Sequence, residues 1–331
     1  MLSLGIIGTS WISSSFIEAA YLTKKYKLSA VYSRSLSNAV SFSEDYDDVE
    51  IFEDLPDFFN YEKLDIVYIA SPNSLHFEQA KMALEAGKHV IVEKPATSNP
   101  DELCALIELS QEKNVALFEA ARNIHEPAFE TIKNFLADQT IVGADFTYSK
   151  YSSKMPALLA GELPNKFNAE FSGGLLADLG VYLLYAAVYW FGRPKAAKYD
   201  AVLLDSGVDI SGTGLLDYGK FTVTTKCAGN INSYLPCEIY TEEGTLILDS
   251  VNAISSAVFV KFDGSKETIE IQPVKHNLFD EALHFAQILE NPRCAASTLN
   301  YQVLQTYAKD VAKISYQMRQ SAGIHFPADD K

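Results

Sequence analysis

Leu2-Ser-Leu-Gly-Ile-Ile-Gly8-Thr-Ser10-Trp-Ile-Ser13 is the stretch on which the fold turns. A short apolar run ends at a glycine, and residues 12–25 then repeat apolar side chains at helical spacing. Strand, glycine turn and helix open a βαβ nucleotide-binding unit, where G-x-G-x-x-G lets the backbone approach a pyrophosphate at the helix N-terminus. Only Gly8 of the three glycines is present; Ser10 and Ser13 hold the other two positions. Serine is small and carries a hydroxyl donor, so the turn keeps its capacity to receive a phosphate. An ordinary strand-to-helix turn has the same local signature.

Outward from that turn the pattern repeats. Strand-like runs at 28–32, 66–70, 89–92 and 115–118 are interleaved with helical patterns at 75–86 and 100–113, the last with Leu103, Leu106 and Ile107 on one face. This alternation predicts a parallel sheet covered by helices on both faces. Past 119–127 the order changes. One helical stretch, 127–136, leads into strand-like runs at 144–151, 196–204, 210–217, 221–226, 237–241, 245–249, 257–261 and 268–271. Connections such as Asp217-Tyr-Gly-Lys220 and Asp263-Gly-Ser265 read as hairpin turns. The expectation is an α/β Rossmann nucleotide-binding domain over 1–122. An α+β domain with a large, open, mainly antiparallel sheet follows over 123–331, containing an apolar helix near 175–191 and closing helices at 277–289 and 300–320.

Composition narrows the function. The chain has 331 residues, with 27 basic against 43 acidic side chains and a formal net charge of −16. Nucleic-acid affinity comes mostly from Lys and Arg neutralising phosphates, so this balance argues against such a partner. Four cysteines without a CxxC pair give neither a metal framework nor a disulfide scaffold, which fits a reducing cytoplasm. The uncharged run 179–192 has the length of a buried core helix and is too short to span a bilayer.

Three further sites carry chemistry. At the end of the second strand, where an NAD enzyme usually has a carboxylate for the ribose 2′-hydroxyl, the chain reads Tyr32-Ser33-Arg34-Ser35, and the nearest acid in sequence is Glu44. A guanidinium flanked by hydroxyls suits a 2′-phosphate, which favours NADP with NAD as the alternative. A solvated loop cation would look the same. The strand at 89–92 ends in Glu93-Lys94-Pro95, and ligands bind at the carboxyl ends of parallel strands, so Lys94 is a candidate catalytic cation. In the second domain, Asp178 and Tyr182 stand four apart, one face of a helix. Tyr185 and Tyr189 share that helix, and such tyrosines are commonly core residues with a satisfied hydroxyl. A carboxylate in so apolar a segment needs a partner.

Glu93-Lys94-Pro95, the loop Ser71-Pro72-Asn73-Ser74-Leu75-His76 and the segment Ser172-Gly-Gly-Leu-Leu-Ala-Asp178-Leu-Gly-Val-Tyr182, in this order, resemble the Gfo/Idh/MocA family of NAD(P)-dependent oxidoreductases. The likeness spans nearly the whole chain. Tyr182 stands where many members have His, as in the branch with glucose–fructose oxidoreductase, dimeric dihydrodiol dehydrogenase and some xylose dehydrogenases. The chain departs from the family at two places: the degraded glycine pattern, and Arg122-Asn-Ile-His-Glu-Pro127.

The resemblance implies hydride exchange between nicotinamide and a secondary alcohol or carbonyl of a sugar, polyol or trans-diol. It implies cofactor contacts from Gly8, Thr9, Ser10, Trp11, Ile12, Ser33, Arg34, Ser71, Asn73, His76, Glu93 and Lys94. The catalytic set is Lys94, Asp178 and Tyr182, with His125 as a further substrate contact or secondary proton carrier. A hinge histidine is the plainer reading of His125, and a helix-start residue that of His76. A phenol of pKa about 10 is a poor base at neutral pH unless a cation favours the phenolate, and Lys94 supplies that charge in this reading. A ligand-sensing regulator of the same fold is the alternative function. No metal, nucleic acid or membrane partner is expected. Strands such as 221–226 and 245–249 alternate with little charge, which predicts a homodimer or higher oligomer formed through the second sheet.

Overall fold

The structure is a computed structural model and describes Met1–Asp330. The chain divides into two compact units. The first comprises Met1–Arg122 with Lys275–Lys309, and the second comprises Asn123–Val274 with Asp310–Lys331.

The first unit holds β1 (Leu2–Ile7), α1 (Trp11–Thr23), β2 (Tyr26–Tyr32), α2 (Leu36–Ser43), β3 (Glu50–Phe52), α3 (Leu55–Phe59), β4 (Ile66–Ile69), α4 (His76–Glu85), β5 (His89–Glu93), α5 (Pro100–Lys113) and β6 (Leu117–Ala120). Its sheet has the order β3-β2-β1-β4-β5-β6, every pair parallel. The chain leaves β1 toward one edge and returns through β4 toward the other. The crevice for a ligand therefore opens at the carboxyl ends of β1 and β4. Local chemistry sets the helices. The Asn99 side chain accepts from Glu102 N at 2.9 Å, Pro100 opens α5, and Asn114 closes it in the left-handed region.

β3, α2 and α3 were absent from the sequence reading. β3 has three residues, none fully buried, so its hydrophobic signature is faint. The expected continuous second domain, 123–331, is also corrected. α9 (Phe279–Glu290) belongs to the first unit, where Phe285 stacks on Phe118 at 4.6 Å and the Tyr26 hydroxyl donates to Ala282 O at 2.8 Å. Tyr301, at the start of α10 (Ala295–Ser321), accepts from Leu117 N at 2.9 Å. Full burial of a ring like Phe285 contributes about 1.5–3 kcal/mol.

The second unit is built on an eight-stranded sheet of β7 (Ile141–Ser149), β8 (Ala196–Leu203), β9 (Asp209–Asp217), β10 (Thr222–Ala228), β11 (Cys237–Thr241), β12 (Gly244–Leu248), β13 (Ala257–Lys261) and β14 (Lys266–Ile269). Its order is β14-β13-β12-β11-β7-β10-β9-β8. All pairs are antiparallel except β7 with β10. α6 (Pro127–Leu136), α7 (Met155–Leu159) and α8 (Val181–Phe191) complete it, α8 lying on the inner face of the sheet. The most apolar part of Ala169–Phe191 is mostly buried, as a core segment should be.

Candidate cofactor and catalytic sites

A cleft of about 450 Å³ opens at the ends of β1, β2 and β4, with Gly8, Thr9, Ser10, Ser33, Arg34 and Ser71 among its walls. Gly8 is indispensable to its shape. With φ +98°, its backbone is one that L side chains rarely adopt, and a Cβ would lie 2.6 Å from Ala70 O. Ser13 closes the turn from behind: it is fully buried, and its hydroxyl donates to Gly8 O at 2.6 Å. Ser10 is exposed at the N-cap of α1 and its side chain makes no capping bond. The first turn of α1 carries no acidic residue, so no anion of its own competes for the helix N-terminus that follows Ser10.

Arg34 is exposed on the cleft wall, beside Ser33 and Ser35. Ser35 caps α2 by accepting from Asn38 N at 3.4 Å. An acid distant in sequence reaches this loop. Glu53, at the end of β3, accepts from Leu36 N at 3.1 Å, a contact invisible without the β2–β3 pairing. A dinucleotide with a 2′-phosphate fits this donor set: glycine turn, open helix N-terminus, then a guanidinium with hydroxyls.

The other expected cofactor residues are less uniform. Ile12 packs against the core, while Trp11 is 78% exposed at the start of α1. Glu93 turns inward, where its carboxylate accepts from the Tyr68 hydroxyl and, at 3.3 Å, from Lys94 N; burial pushes its pKa up. It braces the end of β5. Lys94, half-buried, follows at the mouth of that strand. Asn73 opens a short 3₁₀ turn ahead of α4. His76 is buried, with Nδ1 3.0 Å from Pro95 O and Nε2 2.9 Å from Ser71 O. Both ring nitrogens face backbone carbonyl oxygens, so the ring bridges the β4 loop and the β5 loop.

In the second unit, Asp178 lies in a π-helical turn, Leu176–Gly180, that runs directly into α8. The expectation of a regular helix is thus corrected, and π turns of this kind recur at functional sites. Asp178 has a partner that sequence reasoning missed: Lys166 Nζ at 2.7 Å, from a 3₁₀ turn twelve residues upstream. The Gly173–Gly174 pair makes the approach possible. Gly174 N donates to Lys166 O at 2.7 Å, and a Cβ on Gly173 would sit 2.4 Å from that oxygen.

The three tyrosines of α8 separate by environment. Tyr185 is buried, and Tyr189 donates to Glu130 at 2.8 Å. Tyr182, half-buried at the first turn, has its ring edge-on to Tyr148 at 6.0 Å. Buried Asn123 holds that turn by donating to Tyr182 O at 3.1 Å and Val251 O at 3.0 Å. His125 ends the short 3₁₀ turn Arg122–His125.

Residues 2–121 match the model of an oxidoreductase family with an NAD-binding Rossmann fold, and residues 129–247 match the GFO/IDH/MocA C-terminal domain. The chain is 38% identical to an oxidoreductase of Escherichia coli K12, over 99% of both chains. It is 36% identical to scyllo-inositol 2-dehydrogenase (NADP(+)) of Bacillus subtilis 168, again over 99% of each. Its fold superimposes on a 3-ketoreductase from Actinomadura kijaniata solved with NADP and TDP-benzene. That match has a TM-score of 0.84 and 22% identity, covering 98% of this chain and 99% of the other.

Proposed function

The chain belongs to the Gfo/Idh/MocA family and is an NAD(P)-dependent oxidoreductase acting on CH–OH groups. From that premise we propose that it interconverts a ring polyol of the inositol type and its ketone, with NADP(H) preferred over NAD(H). One observation carries the substrate class: the end-to-end likeness to an NADP-dependent scyllo-inositol dehydrogenase. The cofactor preference rests on Arg34 between two serines on the cleft wall.

Gly8, Ser10, Ser33 and Arg34 would hold the dinucleotide, and its nicotinamide would supply or accept the hydride of the carbinol carbon. Tyr182 holds the proton at its phenolic oxygen, taking it from the substrate hydroxyl in oxidation and returning it in reduction. Asp178, already charge-paired with Lys166, accepts a hydrogen bond from a substrate hydroxyl and orients it. Lys94 supplies the positive charge that favours the oxyanion forms. We assign the enzyme to a reducing compartment, the cytoplasm, because its four cysteines are unpaired. We further propose a homodimer formed through the outer face of the second sheet. There the Asp145 carboxylate accepts from the Thr224 hydroxyl and lies within reach of that of Tyr240, which offsets part of its desolvation on burial.

The test is turnover of scyllo-inositol, myo-inositol and D-xylose with each cofactor, read as absorbance of the reduced nicotinamide. The expected result is highest kcat/KM on an inositol with NADP. Arg34→Ala should weaken NADP by about tenfold or more while leaving NAD little changed, the loss of one charge-assisted phosphate contact. Inactivity on every polyol, or an NADP preference untouched by Arg34→Ala, would refute the reading.

A further inference from the structure

The N-terminus of the segment carrying Asp178 and Tyr182 is not capped by its own residues. The first N–H groups of a helix need acceptors, normally a side chain from the N-cap position. Here Gly173, Gly174 and Leu175 occupy that region and offer none. The acceptor comes from β9. Asp209, 1% exposed, takes Leu175 N on Oδ1 at 3.1 Å and Leu176 N on Oδ2 at 2.8 Å. The Tyr199 hydroxyl, from β8, donates to the same Oδ2 at 2.7 Å and lies 3.3 Å from Cys227 Sγ on β10. Three adjacent strands thus converge beneath one turn. The approach is tight: a Cβ on Gly174, whose φ is +109°, would stand 2.3 Å from Asp209 Oδ1. At the far end of the π turn, a Cβ on Gly180 would lie 3.2 Å from Cys227 Sγ.

We propose that Asp209, oriented by Tyr199, is a positioning residue for the reaction: its carboxylate fixes the start of the π turn and thereby the direction in which Asp178 and Tyr182 are presented. The carboxylate is two residues from Asp178 through Leu176 N, and no side chain of the turn itself can substitute for it. Burial pushes the Tyr199 phenol and the Cys227 thiol upward, so both stay protonated and the phenol stays a donor to Asp209. The remainder of α8 is held independently by apolar packing of Val181, Leu183, Leu184 and Val188. Loss of Asp209 therefore disturbs the first turn and spares the helix. A misplacement of about 1 Å is enough to reduce turnover by about 100-fold.

This inference rests on the assignment of Tyr182 as proton carrier, and a double-mutant cycle separates the two. Asp209→Asn, Tyr182→Phe and the double variant are compared on the inositol with the highest turnover in the screen above, with NADP. Melting temperature and fluorescence titration of NADPH serve as controls for fold and cofactor binding. Asp209→Asn should lower kcat by about 10–100-fold, leave NADPH affinity unchanged, and cost less in the Tyr182→Phe background, where only its effect through Asp178 is left. Unchanged kcat in Asp209→Asn, or losses that simply multiply in the double variant, would overturn it. Should Asp209→Asn fail to fold, Tyr199→Phe takes its place in the cycle. It keeps both amide bonds to Asp209 and removes only the orienting hydroxyl, with an expected loss of about 3–10-fold that is again smaller in the Tyr182→Phe background. Normal turnover by Tyr182→Phe alone would refute the catalytic assignment, and this inference with it.

Discussion

Asp178 was expected to need a partner because a carboxylate in an apolar segment is costly to bury alone, and the need is met by Lys166 at 2.7 Å. The side chains are 32% and 28% exposed, so solvent screens the pair and its contribution to stability is small. Its value is in fixing which way the carboxylate faces. Tyr182→Phe should cut kcat by about 10²–10⁴-fold with cofactor affinity retained, the usual size of an acid–base contribution, measured by steady-state kinetics beside NADPH titration. Lys166→Met should act differently. It removes the charge that orients Asp178 and leaves the phenol in place, so KM for the polyol should rise more than kcat falls. A loss confined to kcat would assign Lys166 to the chemical step instead. Asp178 and Tyr182 were legible as candidates because residue type and spacing are local properties. Lys166 and Asp209 were not, since each arrives through a chain reversal or a strand pairing that no sequence window contains.

At the scale of elements, periodicity carried most of the fold. Strands with strict alternation or a continuous apolar run, such as β4 and β11, lie where the pattern put them. Helical periodicity reveals that a face is buried without revealing against what, so nothing in 279–290 announced that α9 joins the first unit. The same unit contains a titration device read only from the structure. Burial lowers the pKa of His76, and does the same to His89 and His284. The His76 ring faces two carbonyl oxygens, and when neutral it donates to one of them. In the unfolded chain these imidazoles protonate near pH 6.5; in the folded one, only at lower pH. Between those limits the unfolded state holds more protons, so stability is intact above about pH 6.5 and declines as pH falls below it. Urea midpoints taken between pH 7.5 and 5.5 should therefore drop. His76→Gln should start from a lower midpoint, having lost the clasp, and should fall less steeply. A slope identical to that of the unaltered protein would exclude His76 from the effect.

For the whole molecule, the outer face of the second sheet bears on assembly. Open antiparallel sheets tolerate water on one side when that side is polar. This one is mixed: Ile247, Val258 and Val260 lie on the face opposite buried Leu246, Leu248 and Phe259, and Leu215, in register with Thr224 and Asp145, is 48% exposed. Among them two carboxylates compete for one donor: Asp145 accepts from Thr224, and the single Tyr240 hydroxyl proton is within reach of Asp145 at 2.7 Å and of Glu238 at 2.8 Å. A stable association buries about 800 Å² per partner, and hydrogen bonds from hydroxyls offset part of the desolvation of such acids while their charge stays. A net charge of −16 works against any random contact between copies, so a specific pairing must overcome that repulsion through apolar area. It follows that the dimer should tighten as salt rises, because screening removes the repulsion and leaves the apolar term. Light scattering at micromolar concentration should give about twice the monomer mass of 36.6 kDa. Val260→Glu, which puts a new unpaired carboxylate on the face, should shift the mass toward monomer with the melting profile of the first unit unchanged. A monomer mass at every salt concentration would remove the second sheet from any role in assembly.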